Sequence, residues 1–231
     1  KEPYDRQHIH TFNMINPNHK KWYVVSNIVK ATTLSLATPF CLKVVGNAIS
    51  NDIWEKENLM HLGCVYAGLD LVSILMVPKL AKNTLYHHLI VNFLFIYTLT
   101  NGMKYDSFSR LIAIYAIFSA LACPVNLYLG VRVICDNNDF LTKFSSFCLV
   151  NYMTCCLFNW SYQVYNLMWT PFYLQTYGIT SVLIFCGFIA IVMCDDLILM
   201  KYLRDNSMFV NLMTTKKSLK DFSTSLEKDS E

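Results

Sequence analysis

The sequence predicts an all-α membrane protein of about six transmembrane helices, and three observations carry that reading. Hydrophobic residues make up 54% of the 231 residues and charged residues only 15%, with a mean hydropathy of +0.33. Several runs reach the roughly 20 apolar residues that a helix needs to cross a bilayer. The lysines and arginines between those runs are distributed unevenly, in the alternation that the positive-inside rule describes.

Taken in order, the first span is expected at residues 22–42, interrupted only by Lys30, and the second at 58–78, interrupted only by Asp70. Residues 83–103 and 111–131 carry no formal charge and supply spans three and four. The uncharged tract 144–194 is far too long for one crossing, so it must divide. Residues 166–178, with Trp169, Pro171 and Tyr173, read as an interfacial aromatic turn between spans five and six. With the N-terminus in the cytoplasm, Lys20, Lys21, Lys79, Lys82, Arg132, Lys143, Lys201, Arg204 and the tail lysines fall on the cytoplasmic side. Lys43, Lys56, Lys104 and Arg110 fall on the other, so both termini are expected in the cytoplasm. This divides the chain into a cytoplasmic segment 1–21, a transmembrane domain 22–204 and a polar cytoplasmic tail 205–231. No charged n-region, apolar h-region and small-residue cleavage site precede the first span, so no classical signal peptide is expected.

Composition also narrows the partners. The net charge of +3 is not gathered into a nucleic-acid patch, and Lys216, Lys217 and Lys220 are placed to meet anionic lipid headgroups. Cys64, Cys123, Cys148, Cys155, Cys156, Cys186 and Cys194 lie in apolar runs without Cys-x-x-Cys spacing. They are expected to pack as small hydrophobes, bridging nothing and holding no metal.

The polar residues inside the spans point to chemistry. At 1.5 Å per residue Lys30 and Asp70 each lie roughly 12 Å below the cytoplasmic boundary. Opposite charges at equal depth on consecutive antiparallel spans are expected to pair; the alternative is a Lys30 that reaches back to the interface alone. On the same ruler His87 and His88 lie roughly 5 Å deep, Asn126 about 9 Å, and Asp195 with Asp196 about 8 Å. Adjacent helical side chains point about 100° apart, so one histidine should face the interior and the other a neighbouring helix or the headgroup region, with His88 sharing the interior face with Asn92 and Phe95. Such a one-sided polar layer implies a cavity open to the cytoplasm above an apolar floor suited to acyl chains. Asp195 and Asp196 fit equally well as a boundary pair answered by Lys201 and Arg204.

Three segments resemble the TLC domain, the family of the translocating-chain-associating membrane proteins and the ceramide synthases. WYVVSNIVKA (22–31) is similar to the first-span signature, with Lys30 near the family's histidine, and Asp70 falls where an intramembrane aspartate is common. KLAKNTLYHH (79–88) resembles the approach to the family's His-His pair, and FSALACPVN (118–126) resembles the fourth-span segment of members that are not synthases. The resemblance covers about residues 20–205 and implies a TLC-type bundle in the endoplasmic reticulum or a related internal membrane. It implies that His87 and His88 hold the family's catalytic positions. Ceramide synthases add His-Asp-x-x-Asp in span four, whereas Ser119, Ala120 and Cys123 stand at those positions here. Losing such electrostatic support typically costs about 100-fold or more in rate, so the chain is not expected to make ceramide.

The favoured reading is therefore a protein that binds or senses a membrane lipid in a cytoplasm-facing cavity, without a cofactor, and influences membrane composition or trafficking. The cavity layer would be Lys30, Asp70, Asn92, Ser119, Asn126, Asp195 and Asp196. The alternative is a lipid N-acyltransferase using acyl-CoA, with His87 or His88 as base and Asp195 or Asp196 replacing the missing carboxylates. A six-span transporter with Lys30 and Asp70 as its gating pair is a third class. A carboxylate within hydrogen-bond reach of the His pair is the feature that separates the first two.

Overall fold

Apolar runs without β-branched alternation or turn residues favour continuous helix, because helix alone satisfies every backbone group within lipid. The computed structural model describes residues 18–51, 53–169 and 172–208, and among these the ordered elements are all helical. They are α1 (Asn18–Ser50), α2 (Lys56–Met76), α3 (Lys82–Thr100), α4 (Phe108–Leu121), α5 (Cys123–Val131), α6 (Asn138–Trp169) and α7 (Phe172–Asp205). Four of them, α1, α2, α6 and α7, are long and apolar enough to cross a membrane, and α4 with α5 makes a fifth if the bent pair is one span. By the same measure α3 falls short, because His87, His88 and Asn92 interrupt its apolar surface. The segments 1–17 and 209–231 lie outside the described residues, as does Pro171.

One expected span, 111–131, proves to be broken, and a second break falls at Gly178, within the turn expected at 166–178. Residues 111–131 bend by 44° between α4 and α5. Pro124 has no N–H to donate and sits in the first turn of α5, so the helix restarts there. The Leu121 carbonyl, which loses its helical donor because Val125 N turns to Ala122 O, accepts from Asn151 Nδ2 on α6 at 3.3 Å, and Cys148 Sγ on the same helix reaches Pro124 O at 3.3 Å. In α7 the backbone leaves helical geometry at Gly178 (φ 74°, ψ 163°), a conformation that favours glycine. Tyr173, expected at an interface, is instead buried and stacks on Phe108 with ring centroids 5.4 Å apart.

The bundle closes through small residues and short polar contacts. A Cβ on Gly130 would come within 2.9 Å of Ile28 Cγ1 and 3.4 Å of Val24 O, so glycine is what lets α5 lie directly on α1. Ser35 reaches Cys123 Sγ at 3.3 Å in the same seam, and the Ser26 and Ser73 hydroxyls meet at 2.8 Å between α1 and α2. Buried Ser145 donates to Leu203 O at 2.9 Å, tying α6 to α7. The nine cysteines are free thiols. The apolar core runs through Leu34, Leu59, Val91, Ile114, Ile117 and Val192.

Candidate functional site

One end of the bundle holds nearly all of its buried charge. Lys30 on α1 and Asp70 on α2 form the ion pair that their equal depth required, with Asp70 completely buried. Lys30 does not reach back to the interface; its ammonium lies 5.4 Å from the centre of the Tyr66 ring. His88 Nδ1 lies 3.1 Å from the same Asp70 oxygen, so α1, α2 and α3 converge on one carboxylate.

His87 takes a different partner. Its Nδ1 lies 3.3 Å from Asp195 Oδ2 on α7. Both histidines are buried, their rings standing nearly perpendicular with centroids 5.7 Å apart. The angular separation of neighbouring side chains thus sends them to two carboxylates. His88 takes the interior partner and His87 the neighbouring helix α7, but the expectation that the two could not share one site is corrected, because both line the same cavity. In each pair the contact is one of ion-pair distance without hydrogen-bond alignment. With Nδ1 turned to a carboxylate, Nε2 is the free basic nitrogen in each ring.

Asp195 and Asp196 divide their work. Asp196 is buried and accepts from Tyr152 Oη at 2.7 Å. The boundary reading does not describe them, since Arg204 lies 3.3 Å from Asp205 instead. Asn92 is corrected too: its side chain donates to His88 O at 2.9 Å on its own helix and stays out of the cavity wall. Ser119 and Asn126 do line the wall. Tyr66, Tyr115 and Tyr152, which line it as well, escape a search for charge because a phenol looks like any aromatic core residue in an apolar run.

The cavity has a volume of about 460 Å³. Its floor carries Lys30, His87, His88, Asp195 and Asp196, and its outer wall Tyr23, Lys79, Arg132 and Tyr202. Tyr66 and Tyr115 are shared with a second, apolar slot lined by Leu34, Leu59, Gly63, Phe95, Ile112 and Val192. That slot holds only about 40 Å³ of free space, room for a few waters at most, and the Phe95 ring occupies the space that a Cβ on Gly63 would claim.

Asp70, His87 and His88 each bring one potential metal-ligand atom within 4.8 Å of the others. The Lys30 ammonium already on Asp70 opposes that use. At roughly 5 Å a dication and an ammonium repel by about 7 kcal/mol at an effective dielectric near 20. The arrangement is better suited to holding and moving protons than to holding a metal. No family model, curated protein or solved structure matches the chain.

Proposed function

We propose that this chain is a six-span, TLC-type membrane protein that takes the polar head of an amphiphilic lipid into the 460 Å³ chamber. The sixth span is α3, whose 19 residues reach about 28 Å. Its polar side chains would then face the bundle, where His87 and His88 meet carboxylates. The observation that carries the reading is the 460 Å³ polar chamber, which shares Tyr66 and Tyr115 with an apolar slot that is packed by Phe95 and would have to open for an acyl chain to enter. An amphiphile is the ligand class with those two surfaces. The lysine and arginine distribution supports a cytoplasmic mouth, and the ordered TLC-like segments support an internal membrane such as the endoplasmic reticulum. Purification in mild detergent followed by lipid mass spectrometry tests it. A lipid retained by the wild type and lost in a chamber-blocking Ser119→Trp variant is the expected result, and an identical lipid profile in both would refute it.

The His87–Asp195 contact favours a second reading, acyl transfer. It supplies the carboxylate that the positions of Ser119, Ala120 and Cys123 lack. With Asp195 holding Nδ1–H, Nε2 of His87 would take a proton from an amine or hydroxyl as that group attacks the thioester carbonyl of an acyl-CoA. The tetrahedral intermediate then expels the thiolate, which takes the proton back from the imidazolium. One C–S bond breaks, one C–N or C–O bond forms, and the free thiol leaves. Incubation with radiolabelled palmitoyl-CoA and a panel of lipid amines and alcohols, sphinganine included, should transfer label to a non-sphingoid acceptor in the wild type but not in Asp195→Asn. An unlabelled lipid fraction throughout would remove this reading and leave the binding function standing.

A further inference from the structure

We infer that the mouth of the chamber is a phosphate subsite built around Arg132, so that the amphiphile bound there is a phosphate-bearing one. This rests on the lipid-binding reading and names the headgroup chemistry. Arg132 follows the last turn of α5 and lines the chamber. Its guanidinium lies 4.4 Å from the centre of the Tyr202 ring and 6.0 Å from that of Tyr23, and Nη2 donates to Tyr23 Oη at 3.3 Å. Among the described residues no carboxylate pairs with it. A guanidinium has five N–H donors in a rigid plane, and here two phenol rings orient that plane while only one donor is taken. Planar donors held in place without an anion are the chemistry that recognises phosphate oxygens in bidentate fashion.

The surrounding charge agrees. Lys79 lines the same mouth and has no carboxylate partner among the described residues. The acidic lining residues, Asp195 and Asp196, belong to the floor. Tyr202 is seven residues beyond Asp195 on α7, and Tyr23 seven before Lys30 on α1, so mouth and floor are each separated by about 10 Å. An anion at Arg132 is therefore about 10 Å from the floor's carboxylates and in direct reach of the guanidinium, so the near cation outweighs the far anions. The same carboxylates keep a phosphate from descending further, which fixes the ligand's direction: phosphate at the mouth, its remaining polar groups toward His87.

The phosphate could belong to a lipid headgroup or to the coenzyme of an acyl thioester, and binding distinguishes them. The full chain in nanodiscs is titrated with lysophosphatidate, palmitoyl-CoA, monooleoylglycerol and inorganic phosphate, with native mass spectrometry as readout. The wild type should bind one of the two phosphorylated amphiphiles about tenfold more tightly than monooleoylglycerol, the scale of one charge-assisted contact. Inorganic phosphate should compete for it. Arg132→Gln should abolish the preference, and Arg132→Lys, which keeps the charge but loses the planar fork, should retain part of it. Unchanged monooleoylglycerol binding in both variants shows that the fold and chamber persist. Equal binding of phosphorylated and unphosphorylated amphiphiles by the wild type, or a preference that survives Arg132→Gln, would overturn the subsite while leaving lipid binding intact. A wild type that binds no amphiphile at all would overturn both.

Discussion

The two histidine–carboxylate pairs are built from the same residue types, yet their surroundings assign them different work. His88 meets an Asp70 that is completely buried and already paired with Lys30, so three helices converge on one carboxylate. His87 meets an Asp195 whose side chain is 17% exposed and which has no lysine or arginine partner among the described residues. A carboxylate with a permanent counter-ion holds structure together. One that faces a chamber with an imidazole beside it is free to meet a ligand there. What separates the two roles is the accessory cation, not the histidine.

The largest effect should come from removing that cation. Lys30→Met or Asp70→Asn alone leaves one buried charge uncompensated, and either should lower stability by about 3–5 kcal/mol. The double variant Lys30→Met, Asp70→Asn should lose less than the sum, measured by denaturant unfolding in a fixed detergent. Additive losses would mean that the brace does not exist.

The histidines themselves come next. His88→Ala should lower the unfolding midpoint, since it leaves part of the Asp70 cluster unsatisfied. His87→Ala and Asp195→Asn should leave the midpoint nearly unchanged and, on the acyl-transfer reading, lower turnover by about 100-fold. Equal effects of the two histidine variants on both readouts would erase the distinction between the pairs.

Much of this brace could be read from the chain itself. Lys30 and Asp70 are the sole charges in their runs, and a 1.5 Å ruler places them at one depth, which in lipid leaves little alternative to pairing. Partnerships that depend on azimuth rather than depth were harder to see. Asn92 has the spacing of an interior residue, but a short amide on a helix can satisfy itself on the carbonyl four residues back. The partner of His87 was legible only as an alternative, Asp195 or Asp196, because two adjacent aspartates near a span end read equally well as a boundary. The break in 111–131 was written in Pro124. Absence of charge made that segment read as one span, although Asn151 and Cys148 on a distant helix are what make the break tolerable.

A smaller effect tests the frame around the brace. Gly130→Ala places a methyl group 2.9 Å from Ile28 Cγ1 and 3.4 Å from the Val24 carbonyl. α5 must then move off α1, at a cost of about 1–3 kcal/mol. Because Lys30 is carried by α1 and Asn126 by α5, the shift should also weaken lipid retention, which native mass spectrometry would register. A destabilised Gly130→Ala variant that retains lipid as well as the wild type would show that the α1–α5 seam is independent of the chamber.

The smallest effect lies at the opposite end of the bundle, where a carboxylate is held by amides instead of imidazoles. Glu55, between α1 and α2, is half-buried, and hydrogen bonds from Asn58 and then Asn47 hold its carboxyl below the ordinary glutamate value of 4.5. A depressed carboxyl contributes stability that is fully present above its unfolded value and is lost as pH falls through the folded one. Backbone protection of residues 47–59, followed by hydrogen exchange, should therefore fall on acidification below about 4.5. In Asn47→Ala, Asn58→Ala that acid step should vanish, leaving lower but pH-independent protection over the same range. The chamber should not notice: lipid retention should be equal in the two proteins, since nothing links Glu55 to the histidines except the length of α2 and α3. A variant that lost both the acid step and the lipid would show that the two ends of the bundle are coupled, and that the division of labour between the histidine pairs extends beyond their own end.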